Sequence, residues 1–322
     1  MDHTPFNLFC SIPLSCAELG KALQAHVAGK VTAIGDPAYE DLRRALVWNE
    51  PAPGRRPTLI CRAATEHDVM AAVDFARAHR LKVAVCGGGH NWVGFSLRDH
   101  SLLIDLGELK RVISIDAKAH TATVQPAVRG RELNAALAKS GFAFPVGHRP
   151  TVPLSGFLLN GGLGCNFGGW GPGCLSIEAA NVVTADGRLV VASDTRYPDL
   201  LWAIRGAGPG FFGVITQYRL KTRPTPRAIT ACDYFYAMER MDAVGAWAAS
   251  IAGKMPKEVE LTLFCTAAPR LWRCRRSRAT DTSRCSRPPP SPTRRPKPQQ
   301  RTRRWRAAPP RSGFSARSSI SR

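Results

Sequence analysis

Lys82-Val83-Ala84-Val85-Cys86-Gly87-Gly88-Gly89-His90-Asn91-Trp92-Val93-Gly94-Phe95-Ser96 is the stretch that decides how this chain folds. An apolar run of strand character enters three consecutive glycines, and a histidine stands at their exit. Without Cβ atoms the backbone can turn sharply there or lie directly against a ligand. The His90 ring then reaches whatever the bare backbone cradles. A large phosphate-bearing cofactor is the ligand expected of such a turn.

Outward from this turn, elements follow at short intervals. Upstream, residues 58–62 read as a strand opened by Arg55-Arg56-Pro57. Thr65-x-x-Asp68 starts a helix as a capping box, with Val69, Ala72, Val73 and Ala76 along one face. Residues 83–86 complete a β-α-β unit, and residues 15–50 ahead of it read as helical and peripheral. Downstream, alternation over 101–106, 112–116 and 121–125 indicates strands and a hairpin. A helix over 131–139 ends at Gly141. Residues 177–184 and 189–192 flank Asp186-Gly187, a pair that favours a type I′ hairpin turn. Pro198 opens a short helix to Arg205, and 213–221 is a strand with regular alternation.

From Ile229 a new pattern begins: a strand, a helix over about 240–252, and a strand over 259–264. After Ala268 the composition changes to Arg, Pro and Ser. Such a segment buries too little apolar surface to offset its ordering entropy, so disorder is expected. The abrupt change resembles a GC-rich gene read in the wrong frame; a basic arm for phosphate backbones is the other reading. The expected division is an N-terminal helical region over 1–52, a cofactor domain over 53–225, the start of an incomplete domain over 226–268, and the tail over 269–322.

The bulk charge agrees with this division. The 322 residues carry a formal net charge of +21, but residues 270–322 hold 17 of the 45 Lys and Arg and a single acid, Asp281. The remainder carries 28 basic and 23 acidic residues, a net of only +5. Basicity therefore says nothing about nucleic acid binding by the folded part. The ten cysteines include no Cys-x-x-Cys pair and no histidines at metal spacing, so reduced, mostly buried thiols and no metal are expected. No stretch approaches the ~18–20 apolar residues of a membrane span, and the Met1-Asp2-His3-Thr4 start lacks the basic opening of a signal peptide. A soluble, cytoplasmic protein is expected.

Two further glycine-rich segments need weighing. Gly208-x-Gly210-x-x-Gly213 fits the dinucleotide fingerprint, and Asp233 lies 20 residues beyond it. That fingerprint works only when a strand precedes and a helix follows, because the helix N-terminus holds the pyrophosphate. Here the order is reversed, so a nicotinamide-dinucleotide site is rejected. Gly147-His148-Arg149-Pro150-Thr151-Val152 through Asn160-Gly161-Gly162-Leu163-Gly164 is the second candidate loop. Neither it nor the 86–91 turn contains Asp or Glu. Two such backbone-lined loops can share one pyrophosphate as paired anion nests.

Cys-Gly-Gly-Gly-His-Asn (86–91), Gly-His-Arg-Pro-Thr-Val (147–152) with Asn-Gly-Gly-Leu-Gly (160–164), Val-Val-Thr-Ala-Asp-Gly (182–187), and Pro-Asp-Leu-Leu-Trp-Ala-Ile-Arg-Gly-Ala-Gly-Pro-Gly-Phe-Phe-Gly-Val-Ile-Thr (198–216) occur in order. Together they resemble the berberine-bridge-type flavoproteins of the vanillyl-alcohol-oxidase superfamily, from roughly Arg56 to Thr222. The resemblance implies an α+β fold: a two-subdomain PCMH-type FAD-binding domain, followed by the start of an α+β substrate domain. It implies FAD held by Cys86, Gly87, Gly88, Gly89, His90 and Asn91 in the first loop. Arg149, Pro150, Thr151, Val152, Gly156, Gly161, Gly162 and Gly164 would follow from the second, with Gly213 and Ile215 beyond. His90 matches the histidine that relatives bond covalently to the flavin 8α carbon. Arg149 stands where many relatives place a second tethering cysteine, so a single link is implied unless Cys165 or Cys174 comes close. Val152 matches an oxygen-gating position at which valine is permissive.

The implied activity is an FAD-linked oxidase that takes hydride from a small alcohol, sugar or amine-adjacent carbon to flavin N5 and passes electrons to oxygen. The base and most of the substrate pocket are expected beyond Ile229. The alternative is a non-catalytic FAD-binding fragment whose basic tail anchors it to nucleic acid or another acidic surface.

Overall fold

In the computed structural model, which describes residues 14–50 and 52–265, the chain divides into two units at Thr225. The first unit runs α1 (Cys16–Gln24), β1 (Lys30–Ala33), α2 (Tyr39–Ala45), β2 (Leu59–Arg62), α3 (Glu66–Ala78), β3 (Lys82–Cys86), β4 (Ser101–Asp105), β5 (Val112–Asp116) and β6 (Thr121–Val124). It continues through α4 (Gly130–Ala138), β7 (Phe142–Ala143), α5 (Leu154–Leu159), α6 (Phe167–Trp170), β8 (Ile177–Val183), β9 (Leu189–Ser193), α7 (Pro198–Ile204), β10 (Val214–Lys221) and β11 (Arg223–Pro224).

Two sheets organise it. The first has the order β1-β2-β4-β3, with β2, β4 and β3 parallel and β1 antiparallel to β2. The β-α-β unit read from sequence is present, with β4 inserted between its two strands. Every residue of β4 is buried, so the alternation read over 101–106 is one of core against core. Leu102 and Ile104 face the cluster built with α1 and α3, while Leu103 faces a second cluster with Tyr39, Leu46 and Leu97. A parallel sheet covered on both faces has this signature.

The second sheet is antiparallel, in the order β5-β6-β10-β8-β9. Its core face carries Val124, Ile177, Val182, Ile215, Tyr218 and Leu220 against α4, α5 and α7. Val183 and Val214 belong instead to the core of the first sheet, so the two sheets share apolar packing. A β-bulge in β10 at Thr216 turns one extra residue towards α3. There the Glu66 carboxylate accepts from the Thr216 hydroxyl and from the Asn181 amide at 3.2 Å.

Three expectations are corrected. The region over 1–52 is neither wholly helical nor peripheral in its described part. β1 is the edge strand of the first sheet, and Leu23, Ala33, Tyr39, Leu46 and Val47 sit in its two cores. The β8–β9 connection is not a two-residue type I′ turn, because of the two central residues only Gly187 has positive φ, at +81°. Gly187 N–H donates to the Thr184 carbonyl at 2.9 Å, the three-residue alternative for a hairpin. The third correction lies in the second unit. It contains the expected helix, α8 (Met241–Ala252), but no strand forms among residues 226–265. Tyr234, Phe235, Leu263 and Phe264 are exposed, and a strand without a pairing partner leaves its backbone groups unsatisfied. The Arg-rich tail expected over 269–322 lies outside the described residues. No helix among the described residues is long and apolar enough to cross a membrane.

Asp68 is the polar centre of the first sheet's helical face. It closes the capping box with Thr65. Its Oδ1 accepts from Ala28 N–H at 3.0 Å, and its Oδ2 from Gly29 N–H at 2.9 Å and Ala64 N–H at 2.8 Å. Burial alone would raise its pKa, but these donors outweigh burial and hold the carboxyl below its usual range. A depressed carboxylate pKa stabilises the fold above the unfolded value, and that contribution is lost as pH falls through the folded value. Asp68→Asn should therefore cost about 2–4 kcal/mol in urea unfolding at neutral pH. It should also flatten the acid limb of the stability profile below the unfolded carboxyl pKa. Parent and variant losing stability in parallel over that range would contradict the assignment.

Candidate functional site

β3 ends at Cys86, whose side chain is buried and whose carbonyl accepts from Leu106 N–H at 2.8 Å. Burial raises the Cys86 thiol pKa, with the Asp105 charge adding to it and the Gly88 and Gly89 amides opposing. The turn therefore folds around a neutral sulfur. A Cβ on Gly87 would overlap the Ser155 side chain, and one on Gly88 would overlap the Pro153 ring. Gly89 has φ +67° and lies against the Leu46 carbonyl. The three glycines are thus required mainly by neighbouring protein: two by the start of α5 and one by the end of α2.

The segment they meet is held from behind. Gly130 N–H donates to the Val152 carbonyl at 3.0 Å, Leu154 N–H to Val128 at 3.0 Å, and Ser155 N–H to Pro126 at 2.9 Å. Beyond α5, the Asn160 side chain donates to the Gly156 carbonyl at 2.6 Å and stands beside Gly208. The Gly208–Gly210 turn therefore belongs to the same region, although its fingerprint is unusable: α7 precedes it and β10 follows.

These pieces enclose one open cleft of about 830 Å³. Of the residues expected at the site, Cys86, Gly87, Gly88, Gly89, His90, Asn91, Val152, Gly156, Gly162, Gly213 and Ile215 line it. Arg149, Pro150, Thr151, Gly161 and Gly164 do not. Arg149, Pro150 and Thr151 lie exposed at the approach to Val152. Gly161 supplies the carbonyl that receives Cys174 N–H, and Gly164 packs against the Val146 carbonyl. Cys165 and Cys174 are likewise absent from the lining. Lining residues not named individually from sequence are Phe95, Arg98 and Tyr218, with Ser155 and Asn160 of the second candidate loop and Gly210. Gly210 was legible as part of the rejected fingerprint and of the 198–216 motif, but not as a ligand-facing residue. Tyr218 was legible only as a core residue of an alternating strand.

His90 is exposed at the mouth, with its ring 5.0 Å from Trp48, which in turn packs edge-on to Trp92 at 4.9 Å. Desolvation, with a smaller push from the Arg149 charge, lowers the His90 pKa, so the ring is neutral near pH 7 with a free nitrogen lone pair. Tyr218 is fully buried and its phenol pKa is raised by that burial. It therefore keeps its proton and can only be a hydrogen-bond donor or acceptor at the cleft wall. Among the described residues, no Asp or Glu lines the cleft.

Residues 57–193 match the family model described as an FAD binding domain. A relative, the FAD-linked oxidoreductase janO of Penicillium janthinellum, is 33% identical over 233 residues, 72% of this chain and 52% of that protein. The (R)-6-hydroxynicotine oxidase of Paenarthrobacter nicotinovorans is 34% identical over 208 residues, 64% of this chain and 44% of that protein. Among solved structures, the carbohydrate oxidase of Microdochium nivale superposes with a TM-score of 0.60 at 32% identity, covering 65% of this chain and 44% of that one. The chain carries the FAD-binding domain of FAD-linked oxidoreductases of this kind. Its cofactor is FAD, and its first unit has the two-subdomain FAD-binding fold that the four ordered motifs implied. The chain spans about half the length of the curated relatives it matches.

The cleft fits this flavoprotein cofactor on its own chemistry. It is walled by glycine backbone, apolar side chains and a few polar ones, has no carboxylate among the described residues, and has a volume in the range of roughly 300–1,000 Å³ usual for small-molecule sites. Two glycines on its wall should respond oppositely to an added methyl. Gly89→Ala should unfold the turn and cost about 2–4 kcal/mol, through both φ and overlap. Gly156→Ala, in α5 with open space ahead of it, should raise thermal stability of the flavin-free chain slightly, by up to about 1 kcal/mol. Equal losses in both variants by thermal denaturation would contradict this account of the turn.

Proposed function

We propose that the chain holds FAD through a single covalent bond from His90 and belongs to an oxidase acting on a small organic substrate, with molecular oxygen as electron acceptor. The observation that carries this reading is the convergence of the 86–91 turn and the 152–162 segment on one carboxylate-free cleft with His90 at its mouth. When bound, FAD supplies hydride acceptance and reoxidation. The protein's part is orientation and electrostatics.

His90 is neutral, which leaves a nitrogen free for a covalent link, and Trp48 and Trp92 fix the side of the mouth on which it stands. The other position used for a tether in relatives of this type is Arg149, which cannot form such a bond and lies outside the cleft lining. The Arg149 charge still reaches His90, so the same guanidinium would favour negative charge on a reduced ring nearby. Val152 lines the cleft, and its small branched side chain supports access by oxygen. Tyr218 holds its proton, so it suits hydrogen bonding to the ring system and not proton removal from substrate. The base and the residues that select a sugar, an alcohol or an amine-bearing substrate would come from outside the first unit.

Acid precipitation of the purified chain should leave yellow flavin in the pellet, and His90→Ala should release all of it to the supernatant. Flavin wholly soluble in the unaltered protein would refute the covalent link. Val152→Leu should slow oxygen consumption by the reduced flavin about tenfold or more, while anaerobic reduction by dithionite proceeds unchanged. Unaltered reoxidation would remove Val152 from the oxygen path.

A further inference from the structure

Among the described residues on the cleft wall, Arg98 is the single one bearing a fixed positive charge, and none is a carboxylate. It stands on the loop between the glycine turn and β4. Its backbone carbonyl accepts from the Ser101 hydroxyl at 2.7 Å, which fixes the position from which the side chain extends. Its Nε–H donates to the Phe95 carbonyl at 3.4 Å. That long contact leaves the planar fork of terminal N–H groups available, the geometry that grips phosphate oxygens in bidentate fashion. Val83 and Val85 project from the same face of β3 into this part of the cleft. Arg98 shares this wall with apolar side chains and with no described carboxylate that would compete for its terminal N–H groups.

We propose that Arg98 is the phosphate-binding residue of this cleft and pairs with the pyrophosphate of FAD. The proposal rests on the FAD reading above and adds a residue that neither the glycine-loop pattern nor the comparisons single out. Its chemistry sets a ligand order. A pyrophosphate-bearing flavin gains the contact, a monophosphate flavin gains less, and riboflavin, without phosphate, gains nothing. Loss of one charge-assisted contact corresponds to about a tenfold weakening.

The test uses the full chain carrying His90→Ala, so that binding is reversible, with and without Arg98→Gln or Arg98→Lys. FAD, FMN, riboflavin and ADP are titrated by flavin fluorescence or calorimetry at two salt concentrations. Arg98→Gln should weaken FAD and ADP about tenfold, leave riboflavin unchanged and reduce the salt dependence, and Arg98→Lys should restore most of the loss. Equal FAD affinity with and without Arg98→Gln would overturn the proposal while leaving the FAD site intact. Equal weakening of riboflavin would also overturn it, by showing a structural role. If the His90→Ala chain binds no FAD, the concentration dependence of flavin incorporation into the otherwise unaltered chain, with and without Arg98→Gln, decides the same point. Absence of flavin uptake by the unaltered chain would count against the FAD reading itself.

Discussion

Contact between the Gly87–Gly89 turn and the start of α5 is the constraint on which this fold depends. The turn belongs to the first sheet and α5 to the second, and at Gly87 and Gly88 the gap admits no side-chain atom. Interior packing at native density leaves no slack for an extra methyl at such a point. The junction fixes where β3 ends relative to Val152 and Gly156, and so fixes the width of the cleft between them. The same three glycines make the cleft wall bare. A packing requirement and a ligand requirement coincide on the same residues, and the packing requirement is the stricter of the two.

A second junction supports the first from the far side of α3. Glu66, at the first turn of that helix, receives hydrogen bonds from Thr216 and Asn181 of the second sheet. Thr216 is available because β10 carries a bulge there, between Ile215 paired with Val182 and Gln217 paired with Asn181. Val214 and Ile215 face opposite sides by the ordinary pleat, Val214 into the first sheet's core and Ile215 into the second's, and the bulge brings Tyr218 onto the same face as Ile215. One irregular residue thus keeps Ile215 and Tyr218 together on the cleft wall. An ideal, unbulged β10 would shift the pleat by one residue and turn one of the two outward.

Much of this was legible because it is local. The Thr65–Asp68 capping box, the covered face of α3, the hairpin of β5 and β6, and Pro198 at the start of α7 all formed where short-range chemistry placed them. What was not legible depends on neighbours distant in sequence. β1 is a strand because β2 offers an edge, and nothing in Lys30-Val31-Thr32-Ala33 by itself announces that partner. The segments around Ile229 and Val259 have strand composition but no described partner, so composition alone did not make them strands. At the site, glycine identity was visible but its cause was not. Gly161 and Gly164 resemble ligand-facing glycines in sequence, but in the fold Gly161 serves a turn at φ +94° and Gly164 packs against the Val146 carbonyl. Arg98 carried no signal, being one arginine among many until the cleft wall isolated it.

Electrostatics follow the same logic of position over composition. The chain's net charge of +21 comes mostly from its last fifty-odd residues, whereas the cleft is made selective for an anion chiefly by exclusion. Its walls contain no carboxylate, its histidine is neutral, and its tyrosine keeps its proton. In such a surrounding a single guanidinium has more influence than it would on a crowded surface, because little nearby charge opposes it and the cleft walls limit screening. A large negative ligand can then be held by backbone and apolar contact over most of its length, with charge recognition confined to the pyrophosphate between its two ring systems. That division separates the Arg98 charge from the mouth, where the His90 ring packs against Trp48 and Trp48 against Trp92.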